Sequence, residues 1–179
     1  MARTEVRIAG FGGQGVVLAG VLLGTAAALY DGKHAVQTQT YGAAARGGAA
    51  RSDVIVDDTP IVYPQVIRPG IMAVFTTVAL DKYRGDLRPE ALLIIDEDLV
   101  TAPEGTDFRI HAVPATDLAQ RELGRSIVAN MVMLGFLAGV TGIVSTDALK
   151  SAIRHGVPQG TETLNLDAFE CGFARAQTT

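Results

Sequence analysis

A doubly wound α/β fold with a mainly parallel sheet and C-terminal helices is what this 179-residue sequence predicts, from three observations. The mostly apolar residues 6–9 lead into Gly10-x-Gly12-x-x-Gly15 and at once into a long apolar segment. Residues 71–75 and 92–95 are continuously apolar, as strands buried on both faces are. Helical patterns alternate with strand patterns over the first two thirds, joined by short loops.

The first unit covers residues 5–30. Glycines reach positive φ without a Cβ clash, so the chain can reverse sharply after the first strand. The helix that follows opens with unpaired N–H groups and the positive end of its dipole, a ready anion site. Val16, Val17, Leu18, Val21, Leu22, Leu23, Ala26, Ala27 and Leu29 make that helix apolar nearly all round. It is therefore buried on several faces, with Gly20, Gly24 and Ala27 permitting close approach. Asp31-Gly32-Lys33 is its stop signal.

Residues 34–40 read as the second strand. The dinucleotide fingerprint requires an acid at its end to hold a ribose hydroxyl. No Asp or Glu occurs between Asp31 and Asp53, which argues against NAD. Residues 41–53 read as a loop and strand start, with Arg46 beside Gly47 and Gly48. A guanidinium fork next to glycines suits an anion such as phosphate. Residues 54–56 continue as a strand, and Asp57-Asp58-Thr59-Pro60 is a turn. A short extended piece at 61–64 precedes the buried strand 71–75. A short helix (78–83), the strand 92–96 and an edge-like strand 108–113 follow. The remainder is helical: 117–124 with an acidic start and Gly124 as stop, the apolar 130–139, a Ser145-capped helix to about 155, and 161–175.

No linker or repeat divides residues 1–179, so one domain is expected. The chain is 48% hydrophobic and only 19% charged, which fits either a surface partly covered by partners or a well-buried core. A net charge of −4 argues against nucleic acid as a partner. The apolar first helix is too short to span a bilayer, and no secretory signal is visible, so a cytoplasmic chain without membrane contact is expected. The single cysteine, Cys171, excludes a four-cysteine cluster, and His34, His111 and His155 lack metal-ligand spacing. No metal site and no catalytic residue is legible: there is no Gly-Lys-Ser/Thr phosphate loop and no serine elbow. The loops after strands one and two should share one sheet edge and face one ligand. The candidate binding residues are Gly12, Gly13, Gln14, Gly15, Tyr41, Arg46, Gly47 and Gly48.

Taken together, Gly10-Phe-Gly-Gly-Gln-Gly-Val-Val-Leu-Ala-Gly20, Tyr41-Gly-x-x-x-Arg-Gly-Gly48, Ser52-Asp53-Val54 and Pro60-Ile61 resemble the gamma subunit of 2-oxoacid:ferredoxin oxidoreductases. Asn130-Met-Val-Met-Leu-Gly135 and Asn165-Leu-Asp-Ala-Phe169 extend the likeness, which is greatest to gamma chains of 2-oxoglutarate-type enzymes. The resemblance implies a Rossmann-like module that helps bind coenzyme A in a hetero-oligomer. It implies alpha and beta partner subunits, with room for a ferredoxin-like delta subunit. Those partners would carry thiamine diphosphate, magnesium and 4Fe-4S clusters, and the assembly would convert a 2-oxoacid and coenzyme A to acyl-CoA and CO2. Many relatives have a proline and an acid where this chain has Ala43-Ala44-Ala45, which leaves branched-chain, aryl and indolyl 2-oxoacids open beside 2-oxoglutarate. Two other readings stand beside this one: a free-standing or regulatory nucleotide-binding module, and a purely structural subunit.

Overall fold

A computed structural model describes residues 3–41 and 48–179. It contains a six-stranded sheet in the order β2-β3-β1-β4-β5-β6. The strands are β1 (Thr4–Phe11), β2 (His34–Thr40), β3 (Ala49–Asp57), β4 (Ile71–Val74), β5 (Leu92–Asp96) and β6 (Arg109–Val113). The helices are α1 (Val16–Thr25), which continues as a π-helical turn over Ala26–Tyr30, α2 (Thr77–Tyr83), α3 (Ala115–Leu123), α4 (Ala129–Thr141), α5 (Thr146–Gly156) and α6 (Glu162–Ala176).

The sheet is mainly parallel, as expected, with β3 the exception. It pairs antiparallel with both β1 and β2. The link from β2 to β3 is too short for a crossover helix, so the chain can only turn back on itself. The structure also lengthens the third strand backwards: Ala49 to Asp53, read from the sequence as loop and strand start, already pair with β1. Sequence pattern missed this because small and charged residues alternate there without an apolar run. The expected extended piece at 61–64 is not in the sheet, and Val62 is 94% exposed.

Helices cover the two faces unequally. Val6 and Ile8 of β1 point to one face, into a cluster with α1, α3, α4, α5 and α6. Ala9 faces the other way, into a smaller cluster with Ala79, Leu80 and Tyr83 of α2. The expected close approach of α1 is realised at Gly20, where a Cβ would overlap the Ser52 side chain of β3. At Gly24 the nearest atom is 3.6 Å away, so that glycine is not required by space. The small residues of α1 thus seat it on its own sheet.

α4 is the buried helix its composition requires, with ten consecutive buried residues from Ala129 to Ala138. It crosses α6 so closely that a Cβ at Gly135 would overlap Phe169 O, and one at Gly172 would overlap Val132 O. Local signals set the helix ends. Ser145 Oγ accepts from Ala148 N and donates to Asp31 Oδ1 at 2.6 Å, joining α5 to the end of the first unit. Gly124 ends α3 with φ 70°.

One buried charge cluster lies under the α2 face. Arg7, 1% exposed, donates from Nε to Asp53 Oδ1 (2.7 Å), from Nη2 to Asp53 Oδ2 (3.1 Å) and from Nη1 to Asp86 Oδ2 (2.5 Å). Burial alone would lower the Arg7 pKa. The hydrogen bonds and charges of the two aspartates outweigh it and raise the value. Arg7, Arg51 and Lys82 all stand over the Tyr83 ring, whose hydroxyl donates to Ala49 O. This cluster anchors the first residues of β3.

Candidate functional site

The strand ends that flank the two glycine-bearing segments lie at one edge of the sheet. Phe11 at the end of β1 pairs with Ala49 at the start of β3, and Thr40 at the end of β2 pairs with Arg51. In strand order, α1 carries the chain from β1 toward β2, while α2 carries it from β4 toward β5. The switch therefore falls between β1 and β4, where open α/β sheets leave a ligand crevice.

A cavity of about 230 Å³ lies there, lined by Gly13, Gln14, Phe75, Leu99, Thr116, Ser126, Ile127 and Ala129. Its walls come from the ends of four parallel strands and the start of α4. None of the lining side chains is charged. Positive potential comes from backbone: α1 begins at Gly15 with no side-chain cap and no acid in its first turn. Its opening N–H groups are thus left to solvent or ligand.

The turn is held from two sides. Gln14 Oε1 accepts from Phe11 N at 2.6 Å, and Gln14 N donates to Phe11 O at 3.2 Å, closing the turn on itself. The Gln14 amide NH2 is then its remaining donor, without a protein partner among the described residues. From the far side, Asn130 Nδ2 donates to Gly15 O at 3.2 Å. Gly15 has φ 69°, and a Cβ there would overlap Asn130 Nδ2. Gly13 has φ 96°. Both positions demand glycine, for backbone conformation at Gly13 and for conformation and space at Gly15.

Beside the pocket, Asp96 ends β5 with no exposure. Its Oδ2 accepts from Thr116 Oγ1 at 2.6 Å, and its Oδ1 accepts from Thr116 N and Asp98 N. Burial is the largest influence and pushes its pKa up, opposed by these hydrogen bonds. Asp96 thereby fixes the pocket wall at Thr116. The outlying thiol, Cys171, has its pKa raised by burial and by Glu122, which makes it a poor nucleophile.

The predicted residues divide into three groups. Gly13 and Gln14 line the cavity; Gly12 and Gly15 complete their turn. Tyr41 stands at the same edge but is 63% exposed, its hydroxyl accepting from Gln39 Nε2, and it does not line the cavity. Gly48 is half-buried immediately before β3, while Arg46 and Gly47 lie outside the described residues. Sequence reasoning missed Phe75, Thr116, Ser126 and Asn130. The rule that strand ends of a parallel sheet converge points to Phe75 and Thr116. No local signal marks Asn130, which reaches Gly15 across 115 positions. Among the described residues no group of three or more His, Cys, Asp or Glu is placed to hold a metal ion.

Comparisons with known proteins agree with this architecture. The family model described as pyruvate ferredoxin/flavodoxin oxidoreductase matches residues 5–175. The chain is 49% identical over 178 residues to the 2-oxoglutarate synthase subunit KorC of Methanocaldococcus jannaschii, covering 98% of this chain and 95% of that one. The gamma subunit of a keto/oxoacid ferredoxin oxidoreductase from Geobacter sulfurreducens superposes with a TM-score of 0.90 at 40% identity, covering 99% and 98% of the two chains. A 2-oxoglutarate:ferredoxin oxidoreductase from Magnetococcus marinus, solved with 2-oxoglutarate, coenzyme A and succinyl-CoA bound, shares the fold (TM-score 0.89, 21% identity). All of this chain corresponds to 32% of that longer one.

Proposed function

We propose a role that proceeds from one fact: this chain belongs to the pyruvate ferredoxin/flavodoxin oxidoreductase family. Residues 1–179 act as one gamma-type unit of a cytoplasmic, multi-subunit 2-oxoacid oxidoreductase, with 2-oxoglutarate the favoured substrate. Its own task is to help bind coenzyme A. The overall reaction breaks the bond between the acyl carbon and the carboxylate, which leaves as CO2, forms a thioester between that carbon and the coenzyme A sulfur with release of the thiol proton, and passes two electrons to one-electron acceptors. Thiamine diphosphate, magnesium and the iron–sulfur clusters that such chemistry uses are assigned to alpha, beta and delta-type partners, as the family likeness implies; the single cysteine of this chain cannot by itself hold a four-cysteine cluster.

The observation that carries this reading is the uncharged pocket at the switch point, walled by Gly13 and Gln14 beneath the uncapped start of α1. Backbone N–H groups and a helix dipole suit a phosphate. At about 230 Å³ the cavity is smaller than the roughly 300–1,000 Å³ that holds a whole drug-sized ligand. It suits one phosphate-bearing end of coenzyme A, with the remainder extending toward partner chains. In this role the chain binds and orients; it moves no proton and makes no bond to carbon.

Arg46→Ala in the assembled enzyme is the test. Loss of one charge-assisted contact costs about 1.5–3 kcal/mol, roughly a 10- to 150-fold rise in the KM for coenzyme A. The KM for the 2-oxoacid should not move. Unchanged coenzyme A kinetics in an intact complex would remove Arg46 from the site, and the same result with Gln14→Ala would reject the glycine turn as well.

A further inference from the structure

The opposite edge of the sheet, where β1, β4, β5 and β6 begin, carries two adjoining concavities of about 460 Å³ each. Arg3 and Arg88 line both; Arg68 lines one and Arg109 the other. Four arginines thus gather on one edge of a chain whose net charge is −4.

Arg3 is committed. Its Nε donates to Glu5 Oε1 (2.9 Å), its Nη1 to Tyr63 O (2.9 Å) and its Nη2 to Gln65 O (3.1 Å). It therefore pins the segment after β3 against the start of β1. Held in this way, the segment presents Val62, Tyr63 and Ile67 outward, at 94%, 52% and 61% exposure. Arg88 lies across Gly70, where a Cβ would meet Nη2 at 2.7 Å. Among the described residues, the guanidiniums of Arg68, Arg88 and Arg109 have no hydrogen-bond or ion-pair partner. Of the two nearby carboxylates, Glu5 is taken by Arg3, and Glu90 is exposed on the turn before β5.

We propose that this edge docks an acidic segment of another subunit of the oxidoreductase. Carboxylates of that segment sit between Arg68, Arg88 and Arg109, and an apolar side chain lands on Val62, Tyr63 and Ile67. The proposal rests on the family reading but not on the glycine site, which lies at the other end of the strands. Two features favour a protein segment over a small anion. The unpaired guanidiniums are distributed over two open concavities and do not converge on one point. Exposed tyrosine and aliphatic side chains border them, the mixture of arginine, aromatic and apolar groups that dominates interface energetics. A guanidinium fork matches a carboxylate in two bonds, so three free forks give both attraction and register.

The test uses the co-expressed complex carrying Arg68→Glu together with Arg88→Glu, followed by native mass spectrometry over a dilution and salt series. The expected result is at least a tenfold weaker hold on this chain, with the wild-type hold itself falling as salt rises. Val62→Asp should weaken it in the same assay. That side chain is almost wholly exposed, so this variant folds and decides the matter even if the double variant does not. Wild-type retention of both variants would overturn the proposal. So would formation of dimers of this chain that the variants abolish, or saturable binding of inorganic phosphate at this edge with assembly unaffected. The KM for coenzyme A, measured on whatever complex remains assembled, should stay at its wild-type value. A rise there with assembly intact would instead mean that this edge belongs to the coenzyme site.

Discussion

At one edge of the sheet the groups open to a binding partner are backbone; at the other they are side chains. The glycine edge offers N–H groups in a pocket without a charged wall, closed by Gln14 and braced by Asn130. The arginine edge offers guanidiniums and apolar side chains around concavities twice as large. Backbone donors fixed by a turn lose little freedom on binding and suit a small anion of one shape. Long side chains on an open surface suit a partner that can complete their contacts over a wider area, at a cost in side-chain ordering. Keeping the two apart would let one sheet bind a ligand at one end, as proposed, and remain free to dock at the other.

The largest effect should come from the cluster between the edges. Arg7→Met leaves the buried Asp53 carboxylate without its main partner, which costs about 3–5 kcal/mol. Chemical denaturation should record that loss. Replacing both partners, with Arg7→Met and Asp53→Leu, should cost less than the single change. A breakdown confined to one edge by hydrogen exchange would show that the edges are not coupled through β1.

Gly15→Ala should come next and separate the edges. A non-glycine residue at φ 69° costs roughly 1–3 kcal/mol, and the new Cβ must also displace Asn130. Coenzyme A affinity should fall with stability, while retention in the complex stays closer to wild type. Equal loss of both would mean that docking also uses the glycine edge.

The smallest effect is a pH dependence restricted to the glycine edge. Asp96 has its folded pKa raised, chiefly by burial. The folded state therefore holds this proton more tightly than the unfolded state. The stability it contributes is present below the unfolded pKa and is lost as pH rises through the folded one. Wild-type stability should decline as pH rises out of the ordinary carboxylate range through the raised folded value, and Asp96→Asn should flatten the decline. An unchanged slope in the variant would locate the titration elsewhere. Protection of the arginine edge should not change over the same window.

The glycine turn was legible because its causes are local. Three glycines, an apolar run before and an apolar helix after suffice to specify strand, turn and helix. The same holds for Ser145, Gly124 and the buried runs of β4 and β5, where a few adjacent residues set a cap or a pleat. Tyr41 shows the limit of that logic: it lies at the right edge, yet its side chain stands in solvent beside Gln39. Asn130 shows a further limit, since its partner Gly15 is remote in sequence and adjacent only once α4 packs under α1.

Composition, periodicity and glycine spacing were thus sufficient for the class of fold, the order of its elements and the sheet edge at which the glycine turn lies. They act over a few residues, within the reach of backbone sterics and side-chain period. The reversed direction of β3 followed from a connection too short to cross the sheet, and it became definite only when β3 found its place between β1 and β2. The assembly of Arg3, Arg68, Arg88 and Arg109 on one edge was decided by tertiary structure alone. Each begins or precedes a different strand, and parallel strands bring their beginnings together however far apart they lie along the chain.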